Sequence, residues 1–160
     1  MSGRSRGFTL VELLIVIAII GILAAIAIPN LLNAVQRGKQ KRTMSDMRAL
    51  ATAIEAYHVD NSFFPTASCV GGLYTTAGTV LDQGSFSDLT PTYIASPPRH
   101  DGWGRPLVYA VDNGFSRYNI RSYGRDGSPS ALVCGTTTDF NDDILFSNGT
   151  FLQWPEGSQQ

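Results

Sequence analysis

The chain has 160 residues and a mass of 17.3 kDa, a length that sets a prior of about one domain. Only 16% of its residues are charged, against about 25% in soluble domains. Twelve basic and thirteen acidic residues leave a formal charge of −1, so no global basic field points to nucleic acid. The 43% hydrophobic and 10% aromatic content is enough for a core and excludes a disordered chain. Two cysteines without a C-x-x-C exclude a disulfide-dense scaffold and a zinc site of that type, and the sixteen glycines show no collagen period.

Residues 8–28 read FTLVELLIVIAIIGILAAIAI, which as a helix spans roughly 31 Å, one hydrocarbon thickness. Glu12 is the single charge in this run, and the polar residues 1–7 carry Arg4 and Arg6. A secretory signal peptide is the first competitor, but its apolar stretch is about 7–15 residues followed by a small-residue cut. Here the run is longer and the chain beyond it stays helix-forming. The best candidate cut lies ahead of the run, between Gly7 and Phe8. Arg4 and Arg6 as cytoplasmic anchors place the C-terminal part outside the cytoplasm. A plain N-terminal anchor explains this much equally well.

Glu12 shifts the balance. A carboxylate within a span costs about 2.5–3.5 kcal/mol on insertion scales and calls for a partner. No Lys or Arg follows it before Arg37. If cleavage frees the amine of Phe8, Glu12 stands four residues along on the same helical face. In a helical assembly the terminal amine of a neighbouring subunit is the alternative partner, and a carboxylate reaching back to the interface is the plain reading.

The segment RGFTLVELLIVIAIIGILAAIAIPN, residues 6–30, resembles the leader-cleavage and helix region of type IV pilins and type II secretion pseudopilins. The resemblance implies cleavage after Gly7 by a prepilin peptidase and N-methylation of Phe8. It gives Glu12, the fifth residue of the mature chain, a part in membrane extraction and subunit register. It further implies a single-pass protein of the bacterial inner membrane with its head in the periplasm. The implied partners are identical or homologous pilin subunits, the peptidase, and a secretion or pilus assembly platform.

Beyond the span, Met44, Met47, Leu50, Ala51, Ile54 and Tyr57 recur every three or four residues, while Lys41, Arg42, Arg48 and Glu55 take other faces. This pattern predicts one helix from about residue 8 to about residue 59. Such a helix is ~75–80 Å long, more than a small domain can cover, so its first half is expected to protrude. Gly21 and Pro29 weaken it, and Pro29 reads either as a kink or as a membrane-exit marker. Arg37, Lys39, Lys41, Arg42 and Arg48 form a basic cluster with no aromatic interleaved. A solvated face, or pairing with the more acidic remainder of a neighbour, is preferred there to nucleic-acid binding.

Ser62-Phe63-Phe64-Pro65 turns the chain, and the Gly/Thr/Ser-rich residues 67–99 suggest one short helix around residues 85–89. Residues 107–111 and 117–123 around Asp112-Asn113-Gly114 read as a hairpin, as do 144–146 and 150–154 around Asn148-Gly149. The fold class is therefore α+β, a long N-terminal helix packed on a small antiparallel β-sheet head. The expected division is a leader (1–7), a transmembrane and assembly helix (8–30), the amphipathic half of the same helix (31–61), and the head (62–160).

AIEAYHVDNSFFPT, DGWGRPLVY, YNIRSYGRDGSPS and DFNDDI resemble the major pseudopilin family of type II secretion. That family usually has Gly and Tyr where Ser62 and Phe64 stand, and a Gly-rich loop in place of Ser128-Pro129-Ser130. The cysteine-bearing loop and the C-terminal hairpin are further departures, which leave a type IV pilin or minor subunit open.

Asp126, Asp139, Asp142 and Asp143 are hard oxygen donors close in sequence, the ligand type that suits calcium. They do not form an EF-hand, because the sixth position counted from Asp139 is Ile144 rather than Gly. A set of solvated turn carboxylates is the plain reading. The resemblance implies a calcium ion here, held by carboxylates and backbone carbonyls. Cys69 and Cys134 fall in the region expected outside the cytoplasm, where disulfides persist; a bridge is preferred to two free thiols and is worth about 3–4 kcal/mol.

His58 and His100 stand alone and read as packing or surface residues, and Trp103, within Asp-Gly-Trp-Gly, reads as a core plug. Asn148-Gly149-Thr150 matches a glycosylation acceptor, but the hairpin turn is preferred. No catalytic constellation or phosphate loop is present. The function expected is structural: a filament subunit, most like a type II secretion pseudopilin. The alternatives are a type IV pilin for adhesion, twitching or DNA uptake, and a membrane-anchored domain that never polymerises.

Overall fold

The computed structural model describes residues 7–65, 79–80, 86–112 and 114–156. Two compact units divide the chain, Met1–Val35 and Gln36–Gln160, and helix α1 (Leu10–Asn61) contributes to both. It is the one described helix long and apolar enough to cross a membrane.

In the first unit the apolar side chains are exposed on every face of α1, from Leu10 (80%) and Ile20 (59%) to Val35 (48%). A helix that is apolar all round is built for lipid or for other helices rather than for water. The helix continues through Pro29. It begins at Leu10 rather than Phe8 because Thr9 serves as the N-cap.

In the second unit α1 becomes amphipathic. Met47, Leu50, Ala51 and Ile54 are buried and form one stripe, as their three- and four-residue spacing dictates. At its C-terminal end Ser62 adopts φ 65° and its N–H donates to the carbonyl of His58 at 2.7 Å. A residue in this left-handed conformation ends the helix.

The strands are β1 (Thr79–Val80), β2 (Val108–Val111), β3 (Tyr118–Ser122), β4 (Gly135–Thr137), β5 (Ile144–Ser147) and β6 (Thr150–Pro155). They form a six-stranded sheet in the order β1-β2-β3-β5-β6-β4. The two expected hairpins, β2–β3 and β5–β6, are antiparallel, and the second closes through Asn148 (φ 44°) and Gly149 (φ 85°). Two residues of positive φ are what a tight hairpin turn needs, so the Asn-Gly pair acts as a turn.

Two features differ from the sequence expectation. The sheet is mixed, because β4 runs parallel to β6 at one edge. Around residues 86–93 the backbone forms successive turns rather than a helix, with Leu89 N–H donating to Phe86 O and Tyr93 N–H to Leu89 O.

Period-two alternation sorts the sheet into two faces. Tyr109, Ile120, Phe146 and Phe151 lie in register across β2, β3, β5 and β6 and pack with the α1 stripe, Phe64, Phe86 and Leu89. Val108, Arg121, Leu145 and Gln153 form the row on the other face.

Polar contacts fix the helix on the sheet. Tyr118 Oη donates to Glu55 at 2.7 Å, and Trp103 Nε1 donates to Gln36 at 2.7 Å. Gly102 N–H donates to Thr43 Oγ1 at 2.8 Å, and a Cβ at Gly102 would lie 2.2 Å from the Lys39 carbonyl oxygen. Only glycine permits that approach. Trp103 packs partly buried against the core, as expected, and His58 stacks on Phe64 at 4.1 Å.

Leu50 is fully buried and Val59 is 79% exposed on the same helix. Leu50→Ala is therefore expected to lower unfolding stability by about 2–5 kcal/mol. Val59→Ala is expected to stay within about 0.5 kcal/mol of the parent. Denaturant titration of both variants in detergent micelles checks this.

Candidate functional site

Three sets of residues are candidates for function, and the structure treats them differently. The first is the N-terminal turn. Gly7 and Phe8 are exposed, Phe8 at 74%. Thr9 and Glu12 form a reciprocal capping box. Thr9 N–H and Thr9 Oγ1 both donate to Glu12 Oε2, at 2.9 and 2.7 Å, and Glu12 N–H donates to Thr9 Oγ1 at 3.2 Å. The Thr-x-x-Glu spacing is the sequence signature of this motif. Thr9-Leu10-Val11-Glu12 carries that spacing in the sequence, so Glu12 is a capping residue as well as a charge without a nearby cation. In the subunit alone, the carboxylate already has neutral donors from its own turn.

The second set is the acidic loop. Asp126 and Asp139 are exposed, Asp142 is half-buried and Asp143 is buried. Asp126 Oδ1 accepts from Ser128 N–H at 3.0 Å, Asp139 Oδ1 from Asn141 N–H at 2.9 Å, and Asp142 Oδ2 from Asp139 N–H at 3.4 Å. Each thus stabilises its own turn. Asp143 instead receives the guanidinium of Arg121, the two side chains being 0% and 3% exposed.

Arg121 Nη2 also donates to Ser130 O at 2.7 Å. Ser130 N–H donates to Asp143 Oδ1 at 3.2 Å, and Asp143 N–H donates to Ser130 Oγ at 3.1 Å. Burial pushes the Asp143 carboxyl upward, opposed by the charge and hydrogen bond of Arg121 and by those of Ser130. Among the described residues no three His, Cys, Asp or Glu side chains converge as metal donors. Calcium takes six to eight oxygens, and in this arrangement the four carboxylates do not fit such a cage.

The third set is the cysteines. Cys134 is exposed, and Cys69 lies outside the described residues, so the expected bridge has no geometry here. The basic cluster is spread over the surface. Arg42 pairs with Asp46 at 3.6 Å, and the Arg48 guanidinium lies 5.0 Å from the centre of the Phe151 ring.

An apolar helix with a capped acid in its first turn, continued into an α+β head, defines the class as a pilin-like subunit. Comparison with known proteins narrows it. Residues 2–28 match the prokaryotic N-terminal methylation motif, and residues 30–142 match the family of type II secretion system (T2SS), protein G. Among similar proteins, the type II secretion system core protein G of Dickeya chrysanthemi is 32% identical over 145 residues, covering 90% of this chain and 87% of that protein. The core protein G of Aeromonas hydrophila is 34% identical over 125 residues, covering 78% and 85%. That of Escherichia coli K12 is 33% identical over 129 residues, covering 78% and 84%.

The chain belongs to the type II secretion system protein G family, the structural pseudopilin family that its sequence resembles. A surface type IV pilin is not favoured by these relatives.

Replacing Thr9 by Val removes the hydroxyl shared with Glu12. The expected cost is about 1 kcal/mol at the helix start, read as roughly fivefold faster amide exchange over residues 10–13. Exchange over residues 44–54 is expected to be unchanged in the same detergent sample.

Proposed function

We propose that this pseudopilin is cut after Gly7, methylated on the new Phe8 amine, and polymerised through its N-terminal helix into a filament that serves protein secretion. The observation that carries the reading is the exposure of apolar side chains on all faces of α1 from Leu10 to Val35, with one acid, Glu12, in the first turn. Such a surface is satisfied by lipid before assembly and by other apolar helices after it.

In this reading the span crosses the inner membrane with the head in the periplasm. Glu12 exchanges the neutral donors of Thr9 for a terminal amine, its own or a neighbour's. An ammonium–carboxylate pair in apolar surroundings is strong because either charge left alone there is costly. The pair therefore fixes axial register as well as affinity. The partners are copies of this chain or homologous subunits, with a prepilin peptidase and an assembly platform acting on them. The head contributes surface rather than chemistry, and no catalytic role is proposed.

Mass analysis of the mature N-terminus is expected to begin at methylated Phe8; retention of residues 1–7 overturns the proposal. Glu12→Leu is expected to be processed and membrane-inserted normally, yet to enter filaments with wild-type subunits about a hundredfold less often. Quantifying tagged variant subunits in sheared filaments measures this, and equal incorporation rejects the role given to Glu12.

A further inference from the structure

We propose that the cation organising the loop between β3 and β5 is internal: the guanidinium of Arg121, assisted by that of Arg105, in place of the divalent ion that the sequence resemblance leads one to expect. Between them the two arginines make the bonds that a hard cation makes in a loop, to backbone carbonyls and, through Arg121, to a carboxylate. Arg121 holds Asp143 and the carbonyl of Ser130. Arg105 spans the carbonyl of Arg125 with two donors, Nε at 3.2 Å and Nη2 at 3.1 Å.

The fit is tight. A Cβ at Gly127 would meet Arg105 Nη1 at 2.1 Å, so the loop backbone lies directly against that guanidinium. Gln153 of β6 ties the same assembly to the sheet, donating from Nε2 to Asp143 O at 2.9 Å and accepting from Val133 N–H at 2.8 Å. The loop is thus pinned at Arg125, Ser130, Val133 and Asp143.

A divalent ion bound at Asp143 would lie against the fixed positive charge of Arg121, and the two would repel across a buried, weakly screened site. A guanidinium also differs from an ion in kind. It is covalently part of β3, stays protonated at any working pH, and presents a planar fork of donors. It cannot be removed by a chelator or lost by dilution. The head of this pseudopilin is therefore folded around a permanent cation, and its stability does not track the calcium concentration outside the cytoplasm.

The test uses the full mature chain in detergent micelles, with thermal unfolding followed in millimolar calcium and in excess EGTA. A ligand that binds only the folded state raises the midpoint through mass action. The wild-type midpoint is expected to agree in the two buffers to within about 1 °C. Arg121→Gln is expected to lower it by about 10 °C in both, with faster amide exchange across residues 124–133. Arg121→Lys keeps the charge without the fork and is expected to fall between them, which covers the case where Arg121→Gln is not recovered folded. A saturable rise of several degrees in wild type on adding calcium overturns the proposal. So do equal midpoints for wild type and the arginine variants.

Discussion

The same helix has to satisfy two environments, and this constraint organises the molecule. A sheet can cover one stripe of a helix, and in the second unit that is what happens: Met47, Leu50 and Ile54 are buried together while Val59 faces solvent. Nothing comparable occurs in the first unit, where side chains from Leu10 to Val35 are exposed around the whole circumference. A cylinder without a polar face is covered only by lipid or by further helices. The change from all-round to one-sided apolarity along α1 therefore divides the chain into an apolar helical element and a folded head. The acid in the first turn acquires its meaning from this setting. In a run with no other charge, Glu12 is held by the hydroxyl and N–H of Thr9.

Much of this was legible because it is periodic or local. The three-and-four spacing of Met47, Leu50 and Ile54 marks a buried stripe, and Asn148-Gly149 marks a turn that an L-residue pair rarely makes otherwise. What was not legible depends on contacts distant in sequence. The parallel strand β4 has three residues, and its pairing with β6 leaves no alternating pattern to read in Gly135-Thr136-Thr137. The helix expected around residues 85–89 runs straight into Thr90-Pro91-Thr92, where proline and β-branched residues oppose propagation, while Phe86 and Leu89 are drawn into the core. The acids of the loop illustrate the same limit. Their proximity in sequence was visible, but the claim of Arg121 on Asp143 comes from strand register. Only the alternation along β3, with Tyr118 and Ile120 toward the helix and Asn119 and Arg121 away from it, hints that a buried charge needs a partner.

A buried ion pair is a poor source of net stability, yet removing one partner is costly because it leaves an unpaired charge behind. In this head the pair is surrounded by bonds that each fix a different piece of chain: Ser130 through its N–H, carbonyl and hydroxyl, and Gln153 through both ends of its amide. Such a network ties the loop to β3, β5 and β6 at several points. For a repeating subunit, uniformity of surface matters more than a large folding free energy, because an error in one copy is presented to its neighbours.

The strand β4 forms one end of the sheet. Open strand edges are templates for uncontrolled association, a hazard for any protein held at high local density in a bilayer. Here the terminal strand β4 is three residues long and begins at a glycine. It offers too few backbone groups in a row to recruit a strand from another molecule. Amyloid-like stacking along that side of the head is thereby disfavoured.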